Sequence, residues 1–132
     1  MPESFAPILP SPPSRAHCNG VYRGFNHSVQ GHSHIKSGLK CQDSSGYFAD
    51  MRFAIAAVSD GHGGSRHFRS DVGAKLAVDC ALSQVEDFIR SIGVGAQVLE
   101  GYGASLRQLE QNIIYTWRNL VTTHIEKNPL TG

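Results

Sequence analysis

The stretch Phe53-Ala54-Ile55-Ala56-Ala57-Val58-Ser59-Asp60-Gly61-His62-Gly63-Gly64 decides the fold and carries the chemistry. Its first half is a short apolar run of small and β-branched residues, which predicts a buried strand. Its second half puts a carboxylate at the end of that strand. The glycines that follow let the backbone turn sharply and present its own carbonyls and N–H groups. Asp60 is thus placed to hold a hard cation, with a carbonyl at Gly61 and a titratable imidazole at His62 beside it. Asp-Gly and Gly-Gly are also common in plain strand-ending turns, so the segment taken alone serves both readings.

A second feature lies upstream. Cys41-Gln42-Asp43-Ser44 precedes a predicted strand over residues 45–48, and residues 49–52 make the turn into the apolar run. Two antiparallel strands joined in this way bring Asp43 and Asp60 to the same end of a hairpin. An acidic residue before one strand and Asp60-Gly61-His62-Gly63-Gly64 after the next resembles the metal-dependent protein serine/threonine phosphatases (PPM, or type 2C). The likeness covers the amino-terminal part of that catalytic domain, from about residue 21 to the end.

The resemblance implies hydrolysis of phosphoserine and phosphothreonine in proteins. Two Mn2+ or Mg2+ ions would neutralise the phosphoryl oxygens and acidify a shared water that acts as the nucleophile. Within it, Asp60 would bridge both ions, the Gly61 carbonyl would bind one, and Asp43 would stand in the outer shell. His62 would protonate the departing serine or threonine oxygen, a role suited to imidazole. Gln42 stands where the family usually has a further acid. The family's phosphate-gripping arginine usually lies five residues before Asp43, where this chain has Gly38. His34 is the preferred substitute and Arg69 its rival, ahead of Lys36, Lys40 and Arg66; each also reads as an ordinary surface charge.

Composition sets the frame for these residues. A chain of 132 residues suits one domain. Charged residues make up 17%, below the ~25% of an average protein, and the net charge is +1. That balance offers no footprint for nucleic acid or an anionic membrane. Cys18, Cys41 and Cys80 are odd in number and widely spaced, which fits reduced thiols in a cytoplasmic protein. No basic-then-apolar signal opens the chain, and no apolar run approaches the ~20 residues of a membrane span.

Read in order, residues 1–19 carry five prolines and no apolar period, so they are expected to be a disordered leader, with residues 20–132 forming the phosphatase-like portion. Residues 21–30 predict a first strand with Val21, Phe25 and Val29 as its apolar set. Residues 31–38 read as a polar, glycine-bounded loop. On a strand, His32 and His34 would share a face, yet no Cys or His pair follows at zinc spacing, and a zinc hydrolase built on His32, His34 and His62 fits poorly.

Beyond Gly64 the period changes to three and four. Val72, Leu76, Ala77, Cys80, Ala81, Val85, Phe88 and Ile89 predict an amphipathic helix with Ser65 as N-cap and Gly93 as stop. Residues 92–103 read as a flexible connection. Leu106, Leu109, Ile113, Ile114, Trp117, Leu120, Val121 and Ile125 predict a second helix that Asn128-Pro129 ends. The expected fold is α+β. By resemblance it is a partial, truncated αββα four-layer sandwich, with these helices as one outer layer.

The family's two further metal-binding aspartates lie in the second half of its domain. Here every acid after Asp60 falls on a predicted helix or in the glycine-rich connection. The chain is therefore expected to be the front part of a phosphatase domain, marginally stable and nearly inactive alone. The competing function is a non-catalytic phosphatase-like module that binds or regulates a phosphorylated partner.

Overall fold

The hairpin and the two long helices form as the residue pattern requires. The computed structural model describes residues 22–93 and 103–129. Its elements are α1 (His32–Ser37), β1 (Ser44–Ala49), β2 (Ala54–Ser59), a 3₁₀ turn (Ser65–His67), α2 (Ser70–Ile92) and α3 (Gly103–Lys127). The leader over 1–19 and most of the glycine-rich connection lie outside the described residues.

β1 and β2 pair antiparallel, from Ser44↔Ser59 at the open end to Ala49↔Ala54 at the turn. Asp50 builds that turn. Its N–H donates to the Phe53 carbonyl (3.0 Å), and its Oδ1 accepts from the N–H groups of Arg52 (2.7 Å) and Phe53 (3.1 Å). Arg90, near the end of α2, ties the turn down. It pairs with Asp50 (3.3 Å) and Glu86 (2.7 Å), and its guanidinium lies over the rings of Phe48 (5.5 Å) and Phe53 (5.3 Å).

α2 packs on one face of the hairpin. Gly46 makes this possible: a Cβ there would lie 2.7 Å from Val78 and 2.8 Å from Leu82. Residues opposite each other on paired strands share a face, so Ala57, across from Gly46, also looks toward α2. α3 lies against α2. Trp117 Nε1–H donates to the Gly73 carbonyl (3.0 Å), and the Cys80 thiol to that of Ile113 (3.5 Å). Burial pushes the Cys80 thiol pKa up. Among the described residues the buried apolar ones are Phe53, Ala74, Val78 and Cys80.

Four expectations are corrected. β2 is not buried on both faces. Ile55, Ala57 and Ser59 are partly covered, whereas Ala54, Ala56 and Val58 are exposed, Val58 to 85%. One helical layer covers one face, so the strand alternates as a one-sided sheet does.

Residues 22–30 form no strand. They run beside β1 and bond to it through side chains: Asn26 Nδ2–H donates to the Ser45 carbonyl (2.7 Å), and Ser28 shares a hydroxyl contact with Ser45 (3.1 Å). Asn and Ser side chains take backbone partners that a ladder would otherwise use. The expected apolar residues Phe25 and Val29 are accordingly exposed.

Residues 32–37 are a short helix rather than a loop, closed by Gly38 in the left-handed region (φ 68°). On a helix, positions two apart differ by about 200°, so His32 and His34 do not share a face. Finally, α2 begins at Ser70, five residues after the expected cap, because the 3₁₀ turn intervenes. Gly93 does end it, and Lys127 ends α3 just before Asn128-Pro129. On α3, Leu109, Ile113, Trp117 and Val121 turn inward, while Leu106, Ile114, Leu120 and Ile125 remain exposed.

Candidate functional site

The open end of the hairpin gathers the two carboxylates. Ser44 pairs with Ser59, so the chain enters the sheet from Asp43 and leaves it through Asp60 side by side. Both aspartates line one open groove, together with His27, Ser28, Ser45 and Val58. Asp60 is exposed and makes no hydrogen bond or ion pair with another described residue. Asp43 is exposed too, and its Oδ1 accepts from the Gly61 N–H (3.3 Å). That bond joins the segment before β1 to the segment after β2.

Gly61 is glycine for a steric reason. A Cβ at this position would sit 2.2 Å from the Gln42 carbonyl oxygen and 2.9 Å from its carbonyl carbon. The two backbone segments touch, and the contact fixes the spacing of the aspartates that flank it. Gln42 itself is buried at 4% exposure, and its Oε1 has no hydrogen-bond partner among the described residues. His34 comes near the same place from α1. Its Nε2 is 3.2 Å, and Gln42 Oε1 3.9 Å, from the point where a Gly63 Cβ would be.

The other sequence-predicted residues are spread around this centre. His62 is exposed, and its ring leans on His67 with centroids 4.8 Å apart and planes tilted by 43°. Arg69 is turned to the far end of α3, where its guanidinium donates to the Asn128 carbonyl and lies over Phe68 (5.5 Å). It does not line the aspartate groove. Lys40 pairs with Asp71 (3.8 Å), and Lys36 and Arg66 are exposed. Sequence reasoning missed His27 and Ser28 because their segment read as a strand, and missed His67 altogether. A histidine five positions after His62, across a glycine pair, was the available signal.

The donor chemistry at the hairpin end fits a hard divalent cation. Two carboxylates and neighbouring backbone carbonyls are the oxygen ligands that Mg2+ and Mn2+ take, with waters completing the shell. Asp43, Asp60 and the Gly61 carbonyl are the groups that would hold it. Among the described residues no three His, Cys, Asp or Glu side chains converge. The fit is therefore to part of a metal centre, open to solvent.

A carboxylate-ended hairpin packed on α2, with α3 against that helix, defines an α+β protein. The family model for Protein phosphatase 2C matches residues 30–130, and the chain belongs to that family. No curated protein and no solved structure matches the chain significantly. No helix among the described residues is long and apolar enough to cross a membrane.

Proposed function

We propose that this chain contributes to the metal-dependent hydrolysis of phosphoserine and phosphothreonine in a phosphorylated protein substrate. The observation that carries the proposal is the meeting of Asp43 and Asp60 in one groove, with Asp60 free of any partner among the described residues. In the working domain a pair of Mn2+ or Mg2+ ions supplies charge neutralisation on phosphoryl oxygens and a water acidified toward neutral pH.

The chain's own residues do the rest. Asp60 and the Gly61 carbonyl hold the cation, and Asp43, braced by the Gly61 N–H, orients its outer shell. His62, two residues on from Asp60 and exposed, gives a proton to the leaving serine or threonine oxygen. His34, whose Nε2 lies beside Gly63, is the preferred group for a phosphate oxygen. Arg69 is the weaker candidate, because its guanidinium is engaged at Asn128.

A second reading has support of its own: Gln42 is neutral and buried where the family usually has an acid. A module with that substitution would recognise a phosphorylated partner without cleaving it. Calorimetric titration with Mn2+ separates the two, run beside hydrolysis of a phosphothreonine peptide. The catalytic reading expects Mn2+ binding that weakens at least tenfold, about 1.4 kcal/mol, in Asp60→Asn. It also expects poor turnover by this chain and robust turnover by one extended to the family's full length. Binding of Mn2+ unaffected by Asp60→Asn would overturn it.

A further inference from the structure

His62 and His67 sit on either side of the Gly63-Gly64 turn, and both rings are exposed. Neither ring makes a hydrogen bond to another described residue. The 3₁₀ turn sets their approach: the His67 N–H donates to the Gly64 carbonyl (2.9 Å), which folds the residue back toward the glycine loop. Gly64 leaves room for the ring, since a Cβ there would lie 3.3 Å from His67 Nδ1.

The two rings are close enough to serve one ion as a ligand pair. The centroids are 4.8 Å apart, and the planes are tilted by 43°. Two imidazoles bound at ~2.0–2.1 Å to one tetrahedral ion hold their ring centres roughly 5 Å apart. The observed centroid separation is close to that value. Imidazole nitrogen is also the donor that borderline transition metals prefer, whereas Mg2+ and Mn2+ favour oxygen.

We propose that His62 and His67 form a two-imidazole site for a borderline transition-metal ion of the Zn2+, Ni2+ or Cu2+ class. It differs in donor chemistry from the carboxylate groove at the hairpin end. Solvent completes the coordination, since no third His, Cys, Asp or Glu side chain joins the pair among the described residues. An ion on the pair would occupy a His62 nitrogen and withhold it from proton transfer. That inhibitory consequence rests on the function proposed above, whereas the binding site itself does not.

The test is therefore a binding measurement. Zn2+ is titrated calorimetrically into the full chain with Mg2+ in excess, which fills oxygen-donor sites and competes poorly for imidazole. One Zn2+ is expected at this site, bound at least tenfold more weakly by His62→Ala and by His67→Ala. Binding should return in His67→Cys, because a thiolate replaces imidazole as a zinc ligand. His32→Ala, on the exposed short helix, should bind as the parent chain does. Unchanged affinity in His67→Ala would overturn the site, as would no recovery in His67→Cys or an equal loss in His32→Ala. None of these readouts depends on phosphatase activity.

Discussion

Replacing Gly61 by alanine tests whether the contact between the two strand ends holds the site together. The backbone at Gly61 does not have positive φ, so alanine can adopt its conformation. Were space the only issue elsewhere, the substitution would stabilise the chain by about 0.4–1 kcal/mol through the unfolded state. The structure reverses that sign. The new Cβ would lie 2.2 Å from the Gln42 carbonyl oxygen, far inside the 3.0 Å below which something must shift, so the segments must move apart. The obstacle is backbone, which cannot rotate aside as a side-chain tip does.

Overpacking of this kind costs about 1–3 kcal/mol. Separation also lengthens the Gly61 N–H to Asp43 bond, already 3.3 Å, beyond useful reach. A net loss of about 2 kcal/mol lowers the midpoint of thermal unfolding by roughly 7–9 °C in a domain of this size. Circular dichroism on heating measures it. Gly73→Ala is the control: nothing lies within 4 Å of its Cβ, it is inside α2, and it should gain up to about 1 kcal/mol. Mn2+ affinity should fall in Gly61→Ala and stay constant in Gly73→Ala. A Gly61→Ala chain as stable as the parent would refute the reasoning.

Two further outcomes follow from other contacts. The Asp50 carboxyl is held below the usual carboxylate range, first by the Arg52 N–H, then by the Phe53 N–H and the charges of Arg52 and Arg90. Its contribution is thus complete above the ordinary carboxylate pKa and lost as pH falls through the depressed folded value. Acid titration of thermal stability should show a shallower decline in Asp50→Asn, which keeps the turn's acceptor, and a lower midpoint at neutral pH in Asp50→Ala, which loses it. Trp117→Phe removes the indole donor to the Gly73 carbonyl and should cost about 1 kcal/mol, read as a fall of roughly 4 °C in the unfolding midpoint.

What the residues announced, and what they did not, divides by the range of the interaction. α2 and α3 were legible because apolar residues recur at three and four, and Gly93 and Pro129 mark their ends. The hairpin was legible because residues 54–58 are apolar and bounded by turn chemistry. α1 was hidden. Six residues, His-Ser-His-Ile-Lys-Ser, are too few to show a period, and Gly38 supplies the left-handed closure that makes one turn persist. The segment before it read as a strand because Val21, Phe25 and Val29 suit one, while the deciding bonds come from Asn26 and Ser28 to Ser45, 19 and 17 residues away. At the site, the sequence placed Asp43 beside Asp60 but could not show that Gly61 rests on Gln42.

The one-sided hairpin bears directly on how this site can work. On the proposed function, the carboxylates that would hold metal must be fixed by their surroundings. On the α2 side Gly46 brings Val78 and Leu82 against the sheet, so that face is anchored. On the other side Val58, next but one to Asp60, is exposed and braces nothing among the described residues. The position of Asp60 then depends chiefly on the Ser44–Ser59 pairing and on the Gly61–Gln42 contact, both within the hairpin end itself. On the proposed function, a cation held by Asp60 with Asp43 in its outer shell would close the same end, so its binding free energy and the stability of the hairpin would be one linked quantity. At a hundredfold excess over its dissociation constant such an ion adds about 2.7 kcal/mol, comparable to the loss expected from Gly61→Ala. Saturating Mn2+ should accordingly raise the unfolding midpoint of the parent chain, and should fail to do so in Asp60→Asn.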